Sequence, residues 1–394
     1  MSKTICPAVW HHLCINTRGS NRLCCNAVTQ NEDWYLTNFK NHWHGLRSEV
    51  KQQMLNDERP EICQSCWNKE DLGIQSLRQG LIHKYKKSGR WQDYIDNLHT
   101  TVETPLELDL KLGNYCNLSC RMCNSYSSSK VHAENVKIYN ETGINLASKQ
   151  DNELNYKQDK WYLDPVFVAR VKHYIDKGLL ELKFTGGEPM MVPGVKEVID
   201  YCIKTDRAKE ITIQLITNGT LITQEWIDLL SKFKLCILSF SIDGTKETYE
   251  YIRYPTDWKD TYNRLKISHN SGYQNIVCNL TFTLQIYNML EIKNMLHLTR
   301  NLKSKINCIP LDNPLYLDVK NAPISLKNDA LNEIQKIKVL NNNEKTFIND
   351  IKNKIKQKPE DELQQKNKFL LYTKIRDPYR DQDFTKQKVY KYYE

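Results

Sequence analysis

Three cysteines are spaced so that a single short loop could hold a metal cluster. Cys116, Cys120 and Cys123 follow one another as C-x3-C-x2-C within residues 115–124. A [4Fe-4S] cluster that only carries electrons is closed by four cysteines, whereas three cysteines leave one iron open to a small molecule. Zinc is the alternative, because closely spaced cysteines also bind that ion. The loop therefore predicts an iron–sulfur cluster with an open coordination position, or a zinc site.

A second set of cysteines lies near the start of the chain and consists of Cys6, Cys24, Cys63 and Cys66. Four residues separate Gly19 from Cys24, and a tight turn at this glycine would make a hairpin that brings Cys6 and Cys24 to one end. The C-x2-C pair would then complete a closed set of four thiolates. A four-cysteine zinc ribbon fits the same spacing. Because Cys25 adjoins Cys24, the ligand assignment could shift by one residue.

Alternating strands and helices must position these cysteines. Residues 106–112 alternate leucine with charged residues, as a strand does, and the three-cysteine loop follows directly. Further strand patterns occur at 180–184, 211–215, 236–240, 276–285 and 306–311, with helical periodicity in between. Residues 125–158 are polar and without clear periodicity, so they read as an insertion or a long loop near the predicted site. Repeated strand–helix alternation predicts the α/β class with a parallel sheet.

Several of the predicted strands end in polar motifs. The strand at 180–184 runs into Gly186-Gly187-Glu188-Pro189, where the glycines allow close backbone approach and the carboxylate can accept hydrogen bonds from an ammonium group. The next two strands end at Asn218 and at Ser241-Ile242-Asp243-Gly244. Arg253 follows and could pair with a ligand carboxylate. Ordinary turns and a surface salt bridge are the alternatives for these residues.

Together these motifs resemble the signature of the radical S-adenosylmethionine (SAM) enzymes. The resemblance implies a partial (β/α)6 TIM-like barrel whose C-terminal strand ends build the site. It implies that Cys116, Cys120 and Cys123 hold a [4Fe-4S] cluster and that SAM occupies the open iron. Met122 departs from the family, which usually has an aromatic residue at this position.

The same resemblance implies a set of SAM contacts. Gly186, Gly187 and Glu188 would hold the SAM amino group. Ser241 and Asp243 would bind its carboxylate or ribose, while Asn218 would face the same cavity. Arg253 would pair with the SAM carboxylate or with an acidic group of the substrate.

The first cysteine set is similar to the auxiliary-cluster modules of radical SAM enzymes, known as twitch or SPASM-like modules. Their pattern is a cysteine, then a glycine with four residues between it and the next cysteine, and then C-x2-C. Those modules usually follow the radical SAM core, whereas this one precedes it. The resemblance implies a second, auxiliary iron–sulfur cluster held by Cys6, Cys24, Cys63 and Cys66.

The implied reaction is reductive cleavage of SAM to a 5'-deoxyadenosyl radical, which abstracts hydrogen from a substrate. An external donor such as flavodoxin or ferredoxin would supply the electron. We predict a peptide or protein substrate; the alternative is a small-molecule dehydrogenase or a nucleotide-modifying enzyme. A non-catalytic zinc-binding interaction protein is the alternative from another class. No catalytic residue can be assigned.

Composition and length set the remaining expectations. The 394 residues carry a net charge of +9, but acidic residues dilute the basic ones, so we expect no nucleic-acid partner. Neither an apolar membrane span nor a secretory signal is evident, and thirteen cysteines suit a reducing compartment, so we expect a cytoplasmic protein. The predicted domains are an auxiliary module at 1–70, a helical linker at 71–104, the partial barrel at 105–311 and a helical basic region at 312–394.

Overall fold

A computed structural model describes residues 2–27, 45–71, 73, 75–100, 102–146 and 160–394. Its strands are β1 (His12–Ile15), β2 (Asn21–Arg22), β3 (Glu107–Leu110), β4 (Ser119–Cys120), β5 (Glu181–Phe184), β6 (Thr212–Thr217), β7 (Leu235–Ser241), β8 (Arg253–Tyr254), β9 (Ile276–Leu284) and β10 (Lys305–Pro310). Its helices are α1 (Pro7–His11), α2 (Arg47–Leu55), α3 (Gln64–Asp71), α4 (Leu77–Lys87), α5 (Trp91–Asp96), α6 (Ser129–Thr142), α7 (Pro165–Asp176), α8 (Pro193–Lys204), α9 (Gln224–Leu230), α10 (Lys246–Ile252), α11 (Trp258–His269), α12 (Ile292–Asn301), α13 (Ile324–Gln335), α14 (Asn342–Ile355) and α15 (Glu362–Arg380).

The chain divides into two compact units. Unit 1 comprises Met1–Gly113, Gln158–Gln214 and Lys232–Lys234, and unit 2 comprises Asn114–Lys157, Leu215–Ser231 and Leu235–Glu394.

In unit 1, strand β3 lies between β1 and β5 and runs parallel to both. Leu108, Leu110 and Leu182 are almost fully buried, as expected for a parallel sheet covered on its faces. The N-terminal segment therefore contributes a strand to the same sheet as the segment that leads into the three-cysteine loop.

The hairpin predicted at the start of the chain is present. Strand β1 pairs antiparallel with β2, with Ile15 opposite Asn21. Gly19 has a φ of 83°, a left-handed conformation that favours glycine, and a side chain there would also meet the ring of Trp161. Because β1 also pairs with β3, the hairpin is anchored to the sheet rather than standing alone.

In unit 2, β7, β9 and β10 form parallel pairs in the order β7-β9-β10, and β4 pairs antiparallel with β8. Helices α10, α11 and α12 follow the strands in turn. The predicted α/β class and partial (β/α)6 arrangement are confirmed, since parallel strands alternate with helices in both units.

The region beyond the strands is helical, as predicted. Helices α13, α14 and α15 occupy most of residues 312–394. The aromatic tail packs against the protein, because Tyr393 is buried and its ring lies 4.6 Å from that of Phe369, centre to centre. Within the described residues, no helix combines the length and apolar composition needed to cross a membrane.

Residues 125–158, predicted as an insertion or a long loop, contain a helix in their first half. Helix α6 starts at Ser129, where the Ser128 side chain accepts a hydrogen bond from the Val131 N–H, and ends at Gly143 in a left-handed conformation. The helix is recognisable by its cap and stop rather than by strong periodicity. Residues 147–158 of the predicted loop lie outside the described residues.

A buried ion cluster ties α4 and α5 to the sheet of unit 1. The Glu107 carboxylate is almost fully buried and lies 3.3 Å from both Lys84 Nζ and Arg90 Nη2. Glu181 contacts the same two cations. Burial alone would raise the pKa of Glu107, but His12, whose Nδ1 lies 3.5 Å from the carboxylate, and the two cations hold it below the usual glutamate range.

We expect Glu107→Gln to lower the free energy of unfolding by about 2 kcal/mol at pH 7, because two cations lose a buried partner. A depressed folded-state pKa adds stability above the ordinary glutamate pKa, and this stability is lost as the pH falls towards the folded value. The difference in the free energy of unfolding between Glu107→Gln and the wild type should therefore shrink below about pH 4. Urea unfolding across this pH range measures it. Glu181→Gln, at a more exposed carboxylate, is the control, and an equal or larger loss there would contradict the prediction.

Candidate functional site

The three-cysteine loop is held at both ends by unit 2. Strand β4 places Cys120 opposite Arg253 of β8. Ser129, the first residue of α6, accepts a hydrogen bond from the Cys116 N–H at 3.2 Å and donates one to the Cys116 carbonyl at 3.3 Å. The Cys123 N–H donates to the Cys120 carbonyl at 3.0 Å, which closes the turn between them.

The three thiols are close enough to influence one another electrically. Burial raises the pKa of Cys123, and the neighbouring Cys120 and Cys116 raise it further. Burial also raises the pKa of Cys120, whereas the guanidinium of Arg253 opposes that rise. Metal ligation removes the thiol protons, so a site of this kind binds its metal with release of protons.

A buried cation adjoins the middle cysteine. Arg253 Nη1 donates to Cys120 Sγ at 3.7 Å, and Arg253 Nη2 lies 2.6 Å from Asp243 Oδ2 in an ion pair. Asp243 is fully buried and also accepts a hydrogen bond from the Thr283 N–H at 2.7 Å. Burial alone would lower the pKa of Arg253, but Asp243 and Cys120 raise it, so the guanidinium stays charged. The structure thus places Asp243 and Arg253 together, beside a thiol.

Asn218 contacts the loop through a residue that sequence reasoning missed. Its side-chain amide donates to Asn117 Oδ1 at 2.9 Å, and the Asn117 amide donates to Thr220 Oγ1 at 2.8 Å. Asn117 directly follows Cys116, so these bonds fix the first turn of the loop. Ser241 ends strand β7, opposite Thr281.

The glycine motif lies in unit 1, where it turns sharply at the end of β5. Gly186 has a φ of 109°, and a Cβ there would stand 3.0 Å from the Gly113 carbonyl oxygen. The Gly187 N–H donates to that same oxygen at 3.3 Å. Glu188 is buried and caps the turn Pro189–Met191 through the Met190 N–H. Only glycine at position 186 permits this close backbone approach.

The four cysteines predicted for the first set line one cavity of unit 1. Its lining includes Cys6, Cys24, Cys63 and Cys66, together with apolar residues such as Leu23 and Leu81 and the guanidinium of Arg78. Cys6 precedes α1, and Cys66 lies in α3. The Cys25 thiol instead donates to Asn26 Oδ1 at 3.7 Å and does not line the cavity.

Electrostatics also link these thiols. Burial raises the pKa of Cys24 and of Cys63 to about 12, and nearby thiols of the set add to each shift. Arg47 is fully buried and donates to the carbonyls of Ala8 and Val9 at 2.9 and 2.8 Å. Burial lowers the pKa of Arg47 to about 9, and Cys24 and Cys6 oppose that change. A buried cation near two of the four thiols suits an anionic metal–thiolate group.

We expect Cys24→Ala to remove the metal of the four-cysteine site and Cys25→Ala to keep it, because only Cys24 lines the cavity. Metal and acid-labile sulfide per chain, measured after anaerobic reconstitution, compare the two variants. Retention of the full metal content in Cys24→Ala, with loss in Cys25→Ala, would reverse the assignment.

The donor chemistry of both sites fits iron–sulfur clusters. Among the described residues, no three Cys, His, Asp or Glu side chains converge closely enough to hold one metal ion. A cluster differs from a single ion because its irons occupy separate corners, so its thiolates need not meet at one point. Buried and half-buried thiols that influence one another without converging, with an arginine nearby, are consistent with that requirement.

Sequence reasoning missed three charged residues around these sites. Arg121 lies within the three-cysteine motif, where its adjacency to Cys120 was the available signal. Its partner Asp377 is 256 residues away in sequence, and Arg47 lies between the cysteines of the first set. No local sequence pattern identifies Asp377 or Arg47 as part of a site.

Part of the chain matches a known protein family. Residues 110–299 match the model of the Radical SAM superfamily. The chain is 29% identical over 178 residues to the radical SAM cyclopropyl synthase TigE of Paramaledivibacter caminithermalis, which covers 44% of this chain and 35% of that protein. It is 26% identical over 204 residues to the antilisterial bacteriocin subtilosin biosynthesis protein AlbA of Bacillus subtilis, covering 51% of this chain and 38% of that protein.

A third relative is matched over a longer stretch. The cysteine-type anaerobic sulfatase-maturating enzyme of Clostridium perfringens is 29% identical over 241 residues, which is 57% of this chain and 56% of that enzyme. The chain therefore spans between about a third and just over half of the length of these curated relatives.

Proposed function

We propose that this chain, which matches the Radical SAM superfamily over residues 110–299, is an enzyme that cleaves SAM reductively and abstracts hydrogen from a peptide or protein. The observation that carries the proposal is the trio Cys116, Cys120 and Cys123, held in one loop beside the buried Arg253–Asp243 pair. The trio falls inside the residues that match the family.

In this proposal, Cys116, Cys120 and Cys123 hold a [4Fe-4S] cluster. When bound, such a cluster with one open iron supplies the electron that splits SAM into methionine and a 5'-deoxyadenosyl radical. Arg253 donates to the Cys120 sulfur and so favours its thiolate form. Asp243 keeps the guanidinium in place and charged, and contact of Asp243 and Arg253 with SAM stays a prediction.

Residues at the ends of several strands are proposed to contact SAM or to orient the loop that binds it. Gly186 and Gly187 leave the backbone open to a ligand, and Glu188 accepts hydrogen bonds from the SAM ammonium group. Asn218 orients the loop through Asn117, and Ser241 lies at a strand end, where barrels place their chemistry. The protein walls exclude water from the reactive centre and hold the substrate C–H bond in reach.

We further propose that Cys6, Cys24, Cys63 and Cys66 hold an auxiliary iron–sulfur cluster that exchanges electrons with the substrate. Two relatives support a polypeptide substrate. AlbA is named for the biosynthesis of a bacteriocin, and the Clostridium perfringens relative is named for the maturation of sulfatases. A flavodoxin or ferredoxin as electron donor and a cytoplasmic location belong to the same proposal.

The test is an anaerobic assay of the full chain after reconstitution with iron and sulfide. With SAM and dithionite we expect 5'-deoxyadenosine, and we expect about eight irons per chain if both clusters are present. Peptides encoded by short reading frames beside the gene are the substrate probes, read by mass spectrometry. Nucleoside formation without any peptide change, but with a change in a metabolite extract, would favour the small-molecule alternative. Bound zinc without SAM cleavage would overturn the proposal.

A further inference from the structure

The C-terminal helix α15 reaches the three-cysteine loop through Arg121, the residue after Cys120. The Arg121 side chain is fully buried, and its Nη2 forms an ion pair with Asp377 of α15 and donates to Gln382 Oε1 at 2.8 Å. Its Nε donates to the Tyr251 carbonyl at 2.9 Å. Its guanidinium carbon lies 3.6 Å from the centre of the Tyr251 ring. One side chain of the loop is thus held on several sides.

The backbone of Arg121 is held as well. Its N–H donates to the Ile252 carbonyl at 2.9 Å, and its carbonyl accepts a hydrogen bond from the Tyr372 hydroxyl of α15. The two peptide units that flank Arg121 are therefore each held by one hydrogen bond. Because Arg121 lies between Cys120 and Cys123, these contacts restrain the backbone that carries both cysteines.

The Asp377 carboxylate accepts hydrogen bonds from several groups. Besides Arg121, its carboxylate accepts from the Tyr251 hydroxyl at 3.0 Å and from the Phe384 N–H at 2.7 Å. The same helix also binds α6, which begins at the other end of the loop, because Arg376 and Arg380 both pair with Glu134. Helix α15 therefore contacts the loop and the helix that follows it.

We propose that α15 is a clamp for the three-cysteine loop and that Asp377 is its main positioning residue, acting through Arg121. Helix α15 itself lies outside residues 110–299, the part of the chain that matches the family, whereas Arg121 lies inside it. The inference rests on the proposed function, in which the loop holds a cluster. The C-terminal region thereby controls how firmly the loop holds the cluster and how SAM binds to it.

Asp377→Asn tests the clamp, because it removes one charge at nearly constant volume. The matched control is Glu362→Gln, an exposed carboxylate on the same helix. Both variants are reconstituted as full chains, reduced with dithionite and examined by electron paramagnetic resonance with and without SAM. In Asp377→Asn we expect a weakened SAM-dependent change in the cluster signal. We also expect an iron chelator to remove iron from this cluster about tenfold faster than in the control.

The Cys6, Cys24, Cys63 and Cys66 site is the internal reference, since a merely structural defect would also loosen its iron. If Asp377→Asn does not fold, Tyr372→Phe keeps the packing and removes only the hydroxyl that bonds the Arg121 carbonyl, and it should act in the same direction. Spectra and chelation rates equal to those of the control would overturn the clamp. A wild-type chain without any SAM-dependent signal would instead overturn the proposed function.

Discussion

Cys120→Ala is expected to reduce 5'-deoxyadenosine formation from SAM to the level of an enzyme-free control. Cys120 is the most deeply placed of the three loop sulfurs, since strand β4 fixes its backbone and Arg253 donates to its sulfur. Losing it leaves two thiolates, which cannot retain a cubane that presents one open iron. Changes next to the ligands of a metal typically cost 10–100-fold, and the loss of a ligand should exceed that. Chromatography of the nucleoside products measures the effect.

Iron content gives the second measurement for Cys120→Ala. The variant should lose roughly half of its reconstituted iron, the share of one of two clusters, and should keep the signal of the four-cysteine site. Cys278→Ala is the control, because this cysteine belongs to strand β9 and to neither predicted ligand set. Cleavage of SAM by Cys120→Ala at a rate near that of the control would show that this loop does not hold the reactive cluster.

Cys63→Ala is expected to separate SAM cleavage from product formation. The residue lines the four-cysteine cavity and lies outside the family core, so its loss should spare the three-cysteine loop. The variant should still release 5'-deoxyadenosine, at a rate within a few-fold of the wild type, but should yield no modified peptide. The physical reason is that a substrate radical, once formed, requires an electron acceptor to become a closed-shell product. Parallel quantification of nucleoside and peptide by mass spectrometry measures the split.

Cys25→Ala is the matched control for Cys63→Ala, since Cys25 adjoins the site without lining its cavity. It should keep nucleoside and product formation coupled. Normal turnover by Cys63→Ala would remove the auxiliary role from the four cysteines. Loss of zinc rather than iron from this variant would reassign the site as a zinc ribbon.

The local features of both sites could be predicted because they depend on short stretches of sequence. The spacing of Cys116, Cys120 and Cys123 confines three sulfurs to one turn, whatever surrounds them. Gly19 sets the hairpin because a left-handed backbone is needed at that residue. Strand positions also followed from periodicity, as in β5, predicted at residues 180–184 and present at Glu181–Phe184.

Other features were decided only by the tertiary structure. No pattern near Arg121 identifies Asp377 as its partner, because a contact across 256 residues depends on how the whole chain is packed. The same holds for β1, which joins the sheet beside β3, and for Arg47 of α2, which is buried near Cys6 and Cys24.

By itself, the sequence determined which cysteines could act as ligands, their spacing and the order of strands and helices, since these follow from covalent connectivity and local backbone preference. Only the tertiary structure decided which charges surround the sulfurs and that α15 supports the loop. Such contacts are selected by burial and charge pairing between segments that are distant along the chain.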